Sequence, residues 1–313
     1  MNPTSAIDGA VRLSHLGVIR ALGPEALKFL HGQLTNDMLG LERTHARLAG
    51  FCSAKGRLQA SFTVWTGAVD EVLMACSASL LPATLKRLSM FVLRSRCKLS
   101  DGSEAWPLFG IVGDPAARLA GDAAAWTRLD RDGGGGGGSS FIVLPDAAGL
   151  RRGLWAGSPA PALPPIDLDA WRWLEVQSGL PTIQAETVDR FVPQMLNYEL
   201  LGAVDFQKGC YPGQEIVARS QYRGTIKRRM FRFDVGAPAA PGDEVFHSAD
   251  PGQPAGMVVN AAPRPGTSTT SVLAEVKLAA IDAGSLHLGS VEGPVMRGEA
   301  LPYAVPLEPA AAG

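Results

Sequence analysis

A chain of 313 residues is longer than one ordinary hydrophobic core requires, so its length predicts two or three domains. Hydrophobic residues make up 46% of the chain and charged residues 19%, a globular composition that excludes general disorder. The 29 basic and 30 acidic residues nearly cancel, so no global field favours nucleic acid or a membrane as partner. No apolar run is long enough to predict a membrane span.

The chain has four cysteines, at positions 52, 76, 97 and 210, and none belongs to a C-x-x-C pair or a Cys/His cluster. This usage predicts free thiols in a reducing, cytoplasmic setting, with neither a disulfide framework nor a metal site. Cys52, Cys76 and Cys97 lie in apolar surroundings and are expected to be packed. The N-terminus lacks the pattern of a secretory signal.

The first half of the chain alternates strand and helix patterns. In chain order these predict a strand over 11–22, a helix opened by Gly-Pro-Glu at 23–25, a hairpin over 46–65, a strand over 71–76, a helix over 80–91, and strands at 97–99, 108–112 and 141–144 with a helix over 115–120. Six glycines at 133–138 end without the Gly-Lys-Ser/Thr of a phosphate-binding loop, and they predict a flexible insertion.

The second half begins with a Pro- and Ala-rich linker at 158–165 and a helix over 169–178, which Gly-Leu-Pro at 179–181 ends. A second short helix is predicted over 194–201. From residue 227 onward, short apolar alternations between Gly and Pro turns predict strands at 230–235, 244–246, 256–260, 271–276 and 302–306. This spacing indicates a small antiparallel β-barrel.

The chemistry of the sequence concentrates in residues 205–229. Two glycines flank Cys-Tyr-Pro at 210–212 and predict a rigid, exposed turn. A helical turn follows, so Cys210 is expected near a helix N-terminus and Lys208, surroundings typical of a reactive thiol. Six of the 29 basic residues fall between positions 208 and 229, which suits a carboxylated ligand or a polyanion. Taken alone, the pattern fits a glycine-rich connector with an incidental cysteine equally well.

Residues 208–215 read KGCYPGQE and resemble the signature of the YgfZ/glycine-cleavage T-protein superfamily. Every fixed position of the YgfZ-branch pattern K-G-C-Y-x-G-Q-E is matched. The resemblance covers nearly all of residues 13–230 and continues in short matches at 23–25, 33–37, 54–56, 179–181, 191–194, 197, 217–219, 222–224 and 227–228.

The resemblance implies an α+β fold, a cloverleaf of two interleaved ferredoxin-like α/β units and a C-terminal antiparallel β-barrel around a central folate pocket. We therefore expect residues 1–229 to form the folate-binding region and residues 230–313 to form the barrel domain. The resemblance also implies tetrahydrofolate or a derivative as cofactor, and iron–sulfur client or assembly proteins as partners. Such an accessory protein supports cluster assembly or repair and needs no turnover of its own.

The T-protein branch instead transfers an aminomethyl carbon to tetrahydrofolate, using an aspartate on the strand after the hairpin turn. Ala60 and Ser61 stand where that acid pair would be, and neither supplies a charge. A folate-dependent one-carbon transferase or demethylase, with Cys210 structural, remains the alternative. RNA contact through residues 219–229 is disfavoured by the neutral total charge and by the lack of a basic motif interleaved with aromatic residues.

The resemblance also maps site residues onto this sequence. Cys210 is the predicted functional thiol, supported by Lys208, Gly209, Gly213 and Arg219. Trp171 is the predicted wall for the flat pterin, with Leu16 adding apolar contact; the alternative is that Trp171, like Trp173, only packs in the core. The other predicted folate contacts are Gln177, Tyr211, Gln214, Glu215 and Arg223. Arg219 and Arg223 are further candidates for the glutamate tail of folate or for a protein partner.

Overall fold

The computed structural model describes residues 7–131, 138–222, 226–281 and 283–306. The predicted glycine insertion therefore lies outside the described residues except for Gly138.

The first part of the chain contains β1 (Gly9–Arg12), β2 (Leu16–Leu22), α1 (Ala26–His31), β3 (Ala46–Cys52), β4 (Leu58–Thr66), β5 (Glu71–Ser77), α2 (Leu81–Ser89), β6 (Lys98–Asp101), β7 (Leu108–Val112), α3 (Asp114–Ala120), β8 (Arg128–Asp130), β9 (Ser140–Ala147) and β10 (Leu150–Ala156). The second part contains α4 (Leu168–Gln177), α5 (Gln214–Tyr222), β11 (Arg228–Val235), β12 (Glu244–His247), β13 (Gly256–Pro263), β14 (Thr270–Lys277), β15 (Leu286–Leu288) and β16 (Val295–Glu299). Short 3-10 turns lie at Ala185–Thr187, Pro193–Leu196 and Leu278–Ala280.

The strands form two open sheets and one barrel. The first sheet has the order β1-β7-β10-β9-β8 and the second the order β3-β4-β5-β2-β6. Strands β11-β14-β13-β12-β15-β16 close into a barrel of antiparallel pairs. The predicted α+β fold with a C-terminal antiparallel barrel is thereby confirmed.

The single strand predicted over 11–22 is wrong, because the chain crosses between sheets inside it. β1 pairs with β7 in the first sheet, whereas β2 pairs with β5 in the second. Leu13 lies at the crossing and is buried, and its amide donates to the carbonyl of Leu108 at 2.9 Å. The apolar pattern runs on through the crossing because both strands and their connection face buried cores.

Two other predicted elements differ from those in the structure, because side-chain hydrogen bonds take the place of regular backbone pairing. The helix predicted over 194–201 is only the 3-10 turn Pro193–Leu196, ended by Asn197 at a positive φ of 60°. The Asn197 amide donates to the carbonyl of Met230, tying this turn to β11. The strand predicted over 302–306 is absent there, and Tyr303 instead donates to the carbonyl of Gly179 at 2.8 Å. Strands β8, β10, β15 and β16 were not predicted.

Helix α4 connects the first sheet to the barrel. The Asp167 carboxylate caps its start by accepting from the amide of Asp169 at 2.9 Å. Trp171 packs against Gly110 of β7 so closely that a Cβ there would meet its ring at 2.4 Å. Trp173 points to the other side and donates to the Ser271 hydroxyl of β14 at 3.2 Å. The helix is therefore held between two layers, and its remaining face lines a cavity.

Candidate functional site

A central cavity lies between the two sheets, helix α4 and the barrel. Its inner lobe, about 80 Å³, is lined by both sheets and α4. Its outer lobe, about 360 Å³, is lined by the second sheet, α4 and the barrel, the last at Asn260 and Ala261. The two lobes share the lining residues Leu16, Glu175, Leu180 and Thr182. The outer lobe is in the size range of small-molecule sites.

Glu175 lies where the lobes join, and donors from two parts of the chain hold its carboxylate. Trp171 Nε1 donates to Oε1 at 2.9 Å, and His15 Nε2 lies 3.1 Å from Oε2. Burial alone would raise the pKa of Glu175, but the charge and hydrogen bond of His15, the charge of Arg152 and the hydrogen bond from Trp171 together lower it. Glu175 is therefore an anion at neutral pH, and because a carboxylate only accepts, His15 Nε2 is the donor.

Arg152 provides a buried cation beside this carboxylate. It is 1% exposed, and its guanidinium carbon lies 5.5 Å from the centre of the Trp171 ring. Its Nε donates to the carbonyl of Pro145 at 2.9 Å. Burial lowers the pKa of Arg152 to about 10 despite the nearby charges of Glu175 and Asp146, so the group stays cationic at neutral pH. The inner lobe thus has one anion and one cation against an aromatic wall.

Ser61 occupies the wall of the inner lobe on β4. Its hydroxyl accepts a hydrogen bond from the amide of Ile183 at 2.9 Å and so holds the segment after α4 in place. Ala60 is buried and lines neither lobe. The acids among the described lining residues are Glu175 and Glu186, and neither lies on β4. Ser61, one of the two residues predicted to stand at the transferase acid positions, therefore has a structural role here.

The outer lobe is more polar. Asn260 of β13 donates to the carbonyl of Thr182 and accepts from its amide, each at 2.9 Å, which joins the wall segment to the barrel. Arg172 lines the same lobe with its side chain 43% exposed. The ion partner of Arg172 among the described residues is Asp169, at 3.9 Å. At this distance the guanidinium remains available to an anionic ligand.

The motif at residues 208–215 lies elsewhere, since none of its residues lines the central cavity. The buried Lys208 Nζ donates to the carbonyls of His31 at 2.6 Å, Leu34 at 3.0 Å and Gly209 at 3.2 Å. Burial lowers the pKa of Lys208 to about 8, while the charges of Asp205 and Asp37 act in the opposite direction. Lys208 therefore fastens the motif loop to the end of α1.

A second predicted family match, at residues 33–37, anchors the segment before the motif. Thr35 donates to the carbonyl of Ala203 and accepts from the amide of Gly50, both at 2.7 Å. Asn36 donates to the carbonyls of Leu48 at 2.7 Å and Gly202 at 2.8 Å. These bonds hold the segment that leads into the motif, and the bond from Lys208 Nζ to the carbonyl of Leu34 joins the two matches directly.

Tyr211 and Gly213 fix the motif turn from within. The Lys208 ammonium lies 4.7 Å from the centre of the buried Tyr211 ring, and burial raises the pKa of this phenol. Gly213 has a φ of 79°, and a Cβ there would lie 2.3 Å from the carbonyl oxygen of Ser53 and 2.7 Å from Gly56. The motif loop thus packs directly on the β3–β4 turn, where only glycine fits.

Cys210 is exposed, whereas the other three cysteines are buried. Burial raises the pKa of Cys52 and of Cys76 to about 12. Gly209 beside the thiol is exposed as well, and helix α5 begins only at Gln214. The molecule therefore presents one accessible thiol, on a loop that Lys208 and Gly213 hold in place.

The structure unites only part of the site predicted from sequence. Trp171 and Leu16 meet in the cavity, and Trp171 is at once a lining residue and a core residue, 1% exposed. Gln177 does not line the cavity, because its side chain accepts from Arg232 of β11. Tyr211 is used in packing, while Gln214, Glu215 and Arg219 belong to α5, away from the cavity.

Arg223 lies outside the described residues. Sequence reasoning missed His15, Arg152, Arg172 and Glu175. Only Glu175 gave a signal, since it follows Trp171 by four residues on one helix face. Among the described residues, no cluster of His, Cys, Asp and Glu is arranged to hold a metal ion. No helix in the same ranges is long and apolar enough to span a bilayer.

The arrangement of sheets, barrel and central cavity defines a known structural class. The crystal structure of glycine cleavage system aminomethyltransferase T from Bartonella henselae matches 94% of this chain and 86% of its own, with a TM-score of 0.71 and 15% identity. The chain therefore has the fold of that aminomethyltransferase.

Sequence relatives specify the class further. The tRNA-modifying protein YgfZ of Edwardsiella ictaluri is 32% identical over 236 residues, which cover 71% of this chain and 69% of the relative. The tRNA-modifying protein YgfZ of Colwellia psychrerythraea is 30% identical over 232 residues, covering 71% and 70%. An uncharacterized protein of Haemophilus influenzae is 29% identical over 227 residues, covering 72% and 73%. No protein-family model matches the sequence. The chain belongs to the YgfZ family, as the resemblance of its motif predicted.

Proposed function

We propose that this chain is a tetrahydrofolate-binding accessory protein that supports iron–sulfur cluster assembly or repair in client enzymes. The observation that carries the folate part is the Glu175 carboxylate, held by Trp171 and His15 in the central cavity. A pterin is flat and presents neighbouring N–H donors along one edge. A fixed carboxylate beside an aromatic wall is a suitable receptor for such an edge.

The shape and charges of the cavity also support one orientation of the proposed ligand. With the pterin edge at Glu175, its aminobenzoyl-glutamate tail runs into the outer lobe, where Arg172 is available for a carboxylate. Arg172 therefore replaces Arg219 as our candidate for the tail, because Arg219 lies outside the cavity lining. We expect Arg172→Gln to weaken binding of a folate while leaving a tail-less reduced pterin unaffected.

Cys210 is the proposed functional thiol toward client or assembly proteins. Its exposure on a firmly held loop supports this role, because a partner can reach the thiol without rearranging the fold. The names of the relatives connect those proteins with tRNA modification. For this chain we propose an indirect connection, through a cluster-dependent client enzyme. A net charge of −1 provides no general attraction for tRNA itself.

The second candidate function is folate-dependent one-carbon transfer, which the aminomethyltransferase fold favours. Against it, Ala60 is apolar and buried, and the Ser61 hydroxyl is occupied by the amide of Ile183. Neither residue offers the charge that would orient a one-carbon amine.

The test has two arms. The first is calorimetric titration of the purified chain with 5-formyltetrahydrofolate, and failure to bind contradicts the folate assignment. The second is complementation of a strain that lacks the homologous protein, scored by the activity of an iron–sulfur enzyme. Cys210→Ala is expected to fail, whereas Gln207→Ala, an exposed neighbour, is expected to succeed. Full rescue by Cys210→Ala contradicts the thiol assignment. Turnover of an aminomethyl donor by the wild-type chain favours the second candidate.

A further inference from the structure

An apolar tip projects from the second sheet, directly after helix α2. It consists of Met90, Phe91 and Leu93, whose exposed fractions are 66%, 42% and 89%. The turn beneath it is fixed, because the amide of Phe91 donates to Leu88 at 3.0 Å and that of Ser95 to Val92 at 2.7 Å. Leu88 is fully buried and Val92 packs against the core, so the fold itself directs the other three side chains outward.

Exposed cations surround the apolar tip on both sides. The five basic residues of the segment are exposed, and residues 81–100 contain no aspartate or glutamate. Arg96 pairs with Glu25 at 3.5 Å. The other four have no ion pair within the described ranges: Lys86, Arg87, Arg94 and Lys98. This local excess of positive charge contrasts with the chain as a whole, whose net charge is −1.

We propose that the apolar tip and its basic surround form a docking surface for an anionic lipid bilayer. At such an interface, large apolar side chains enter the boundary between headgroups and acyl chains while lysines and arginines meet anionic headgroups. A strand of RNA would use the cations and could stack on Phe91, but it gives no burial to Met90 or Leu93. A second copy that met this surface with its own copy of the same surface would bring the same cations and be repelled. A membrane surface accounts for both halves of the pattern.

The docking surface is separate from the sites described above. None of its residues lines the central cavity, and the motif with Cys210 is held by α1 and the β3–β4 turn instead. Helix α2 packs on β2 and on β6, the edge strand of the second sheet. The proposal therefore stands independently of folate binding and of the thiol.

Cosedimentation with vesicles tests the proposal on the full chain. We expect binding to vesicles of phosphatidylglycerol and phosphatidylcholine, weakened by salt, and little binding to phosphatidylcholine alone. The double variant Phe91→Ser/Leu93→Ser should lose about tenfold or more in affinity, and Arg94→Gln/Lys98→Gln a similar amount. Val295→Ser is the matched control, because Val295 is 50% exposed on β16 of the barrel. Circular dichroism of each variant verifies that the fold is retained.

Two outcomes would overturn the proposal. One is absence of binding to the anionic vesicles at low salt. The other is vesicle binding that survives the apolar double variant while the charge variant loses it. A parallel titration with total tRNA then shows whether the surface is a general site for polyanions. Binding that depends on the basic residues but not on the apolar ones contradicts membrane docking.

Discussion

The indole nitrogen of Trp171 donates to the Glu175 carboxylate at 2.9 Å, one turn further along helix α4. The flat wall and the charged acceptor of the cavity are therefore mounted on one rigid element, and their relative position is set before any ligand arrives. His15 supplies a second donor from the connection between β1 and β2. Preorganisation of this kind reduces the entropy that a ligand must lose on binding.

Replacing Glu175 by glutamine keeps the size of the side chain and removes its charge. A hydrogen bond to a charged group contributes about 1.5–3 kcal/mol, so we expect roughly a 10- to 100-fold rise in Kd for 5-formyltetrahydrofolate, measured by calorimetry. Glu215→Gln is the matched control, because Glu215 is exposed in the motif. A loss of affinity with Glu215→Gln but not with Glu175→Gln would place the folate at the motif instead.

Thiol accessibility separates Cys210 from the other cysteines. Iodoacetamide at about pH 8 is expected to modify Cys210 in the native chain, because thiolate formation and access both limit this reaction. Burial raises the pKa of Cys52 and Cys76 to about 12, so they should react only after unfolding. Peptide mass spectrometry before and after urea reads the pattern, with Cys210→Ser as control. Native labelling of Cys52 at the rate of Cys210 would contradict the described packing.

Gly213→Ala tests the seating of the motif on the β3–β4 turn. The added methyl would lie 2.3 Å from the carbonyl oxygen of Ser53 at a φ of 79°. Steric overlap adds to the strain of positive φ, and we expect a loss of about 3 kcal/mol or more in the free energy of unfolding. Gly149→Ala provides the control, since Gly149 has a φ of 76° and no atom within 4 Å of an added Cβ. It should cost only about 1–2 kcal/mol. Equal losses in urea unfolding would refute the packing argument.

The buried pair of Arg229 and Glu199 predicts a pH-dependent defect. Their side chains are 5% and 7% exposed, so Arg229→Met leaves a buried carboxylate without its cation and should cost about 3–5 kcal/mol near neutral pH. Burial raises the pKa of Glu199, against the charge and hydrogen bond of Arg229. A carboxyl with a raised pKa takes up a proton more readily in the folded chain, so its penalty shrinks as the pH falls through that pKa.

The destabilisation by Arg229→Met should therefore be smaller at about pH 5 than at about pH 8 in urea unfolding. Arg264→Met breaks the more exposed contact of Arg264 with Asp234, 3.3 Å long, and serves as control. We expect a loss below about 1 kcal/mol there. A defect of Arg229→Met that grows toward acid would contradict the assigned ionisation of Glu199.

The sequence reveals the local features of this molecule better than its long-range ones. The motif turn, helix α4 and most strands of the barrel are encoded in short patterns that neighbouring residues define. The crossing at Leu13 is invisible to such patterns, because burial in either sheet produces the same apolar residues. The cluster of His15, Arg152 and Glu175 is likewise assembled from distant segments, a connection before β2, strand β10 and helix α4. No spacing in the sequence predicts that these three meet.

In this YgfZ-family chain, the β3–β4 hairpin contacts both the proposed folate cavity and the loop that carries the proposed functional thiol. Ser61 on β4 walls the cavity, and the turn at Gly56 supports the loop of Cys210. Ser61 is the fourth residue of β4, which begins at Leu58, two residues after Gly56. The strand from Leu58 to Ser61 spans roughly 10 Å, so one stiff element joins the two places. Thermodynamic linkage makes any coupling along this strand reciprocal. If a ligand in the cavity changes the affinity of the thiol loop for a partner, that partner changes the affinity of the cavity for the ligand by the same factor.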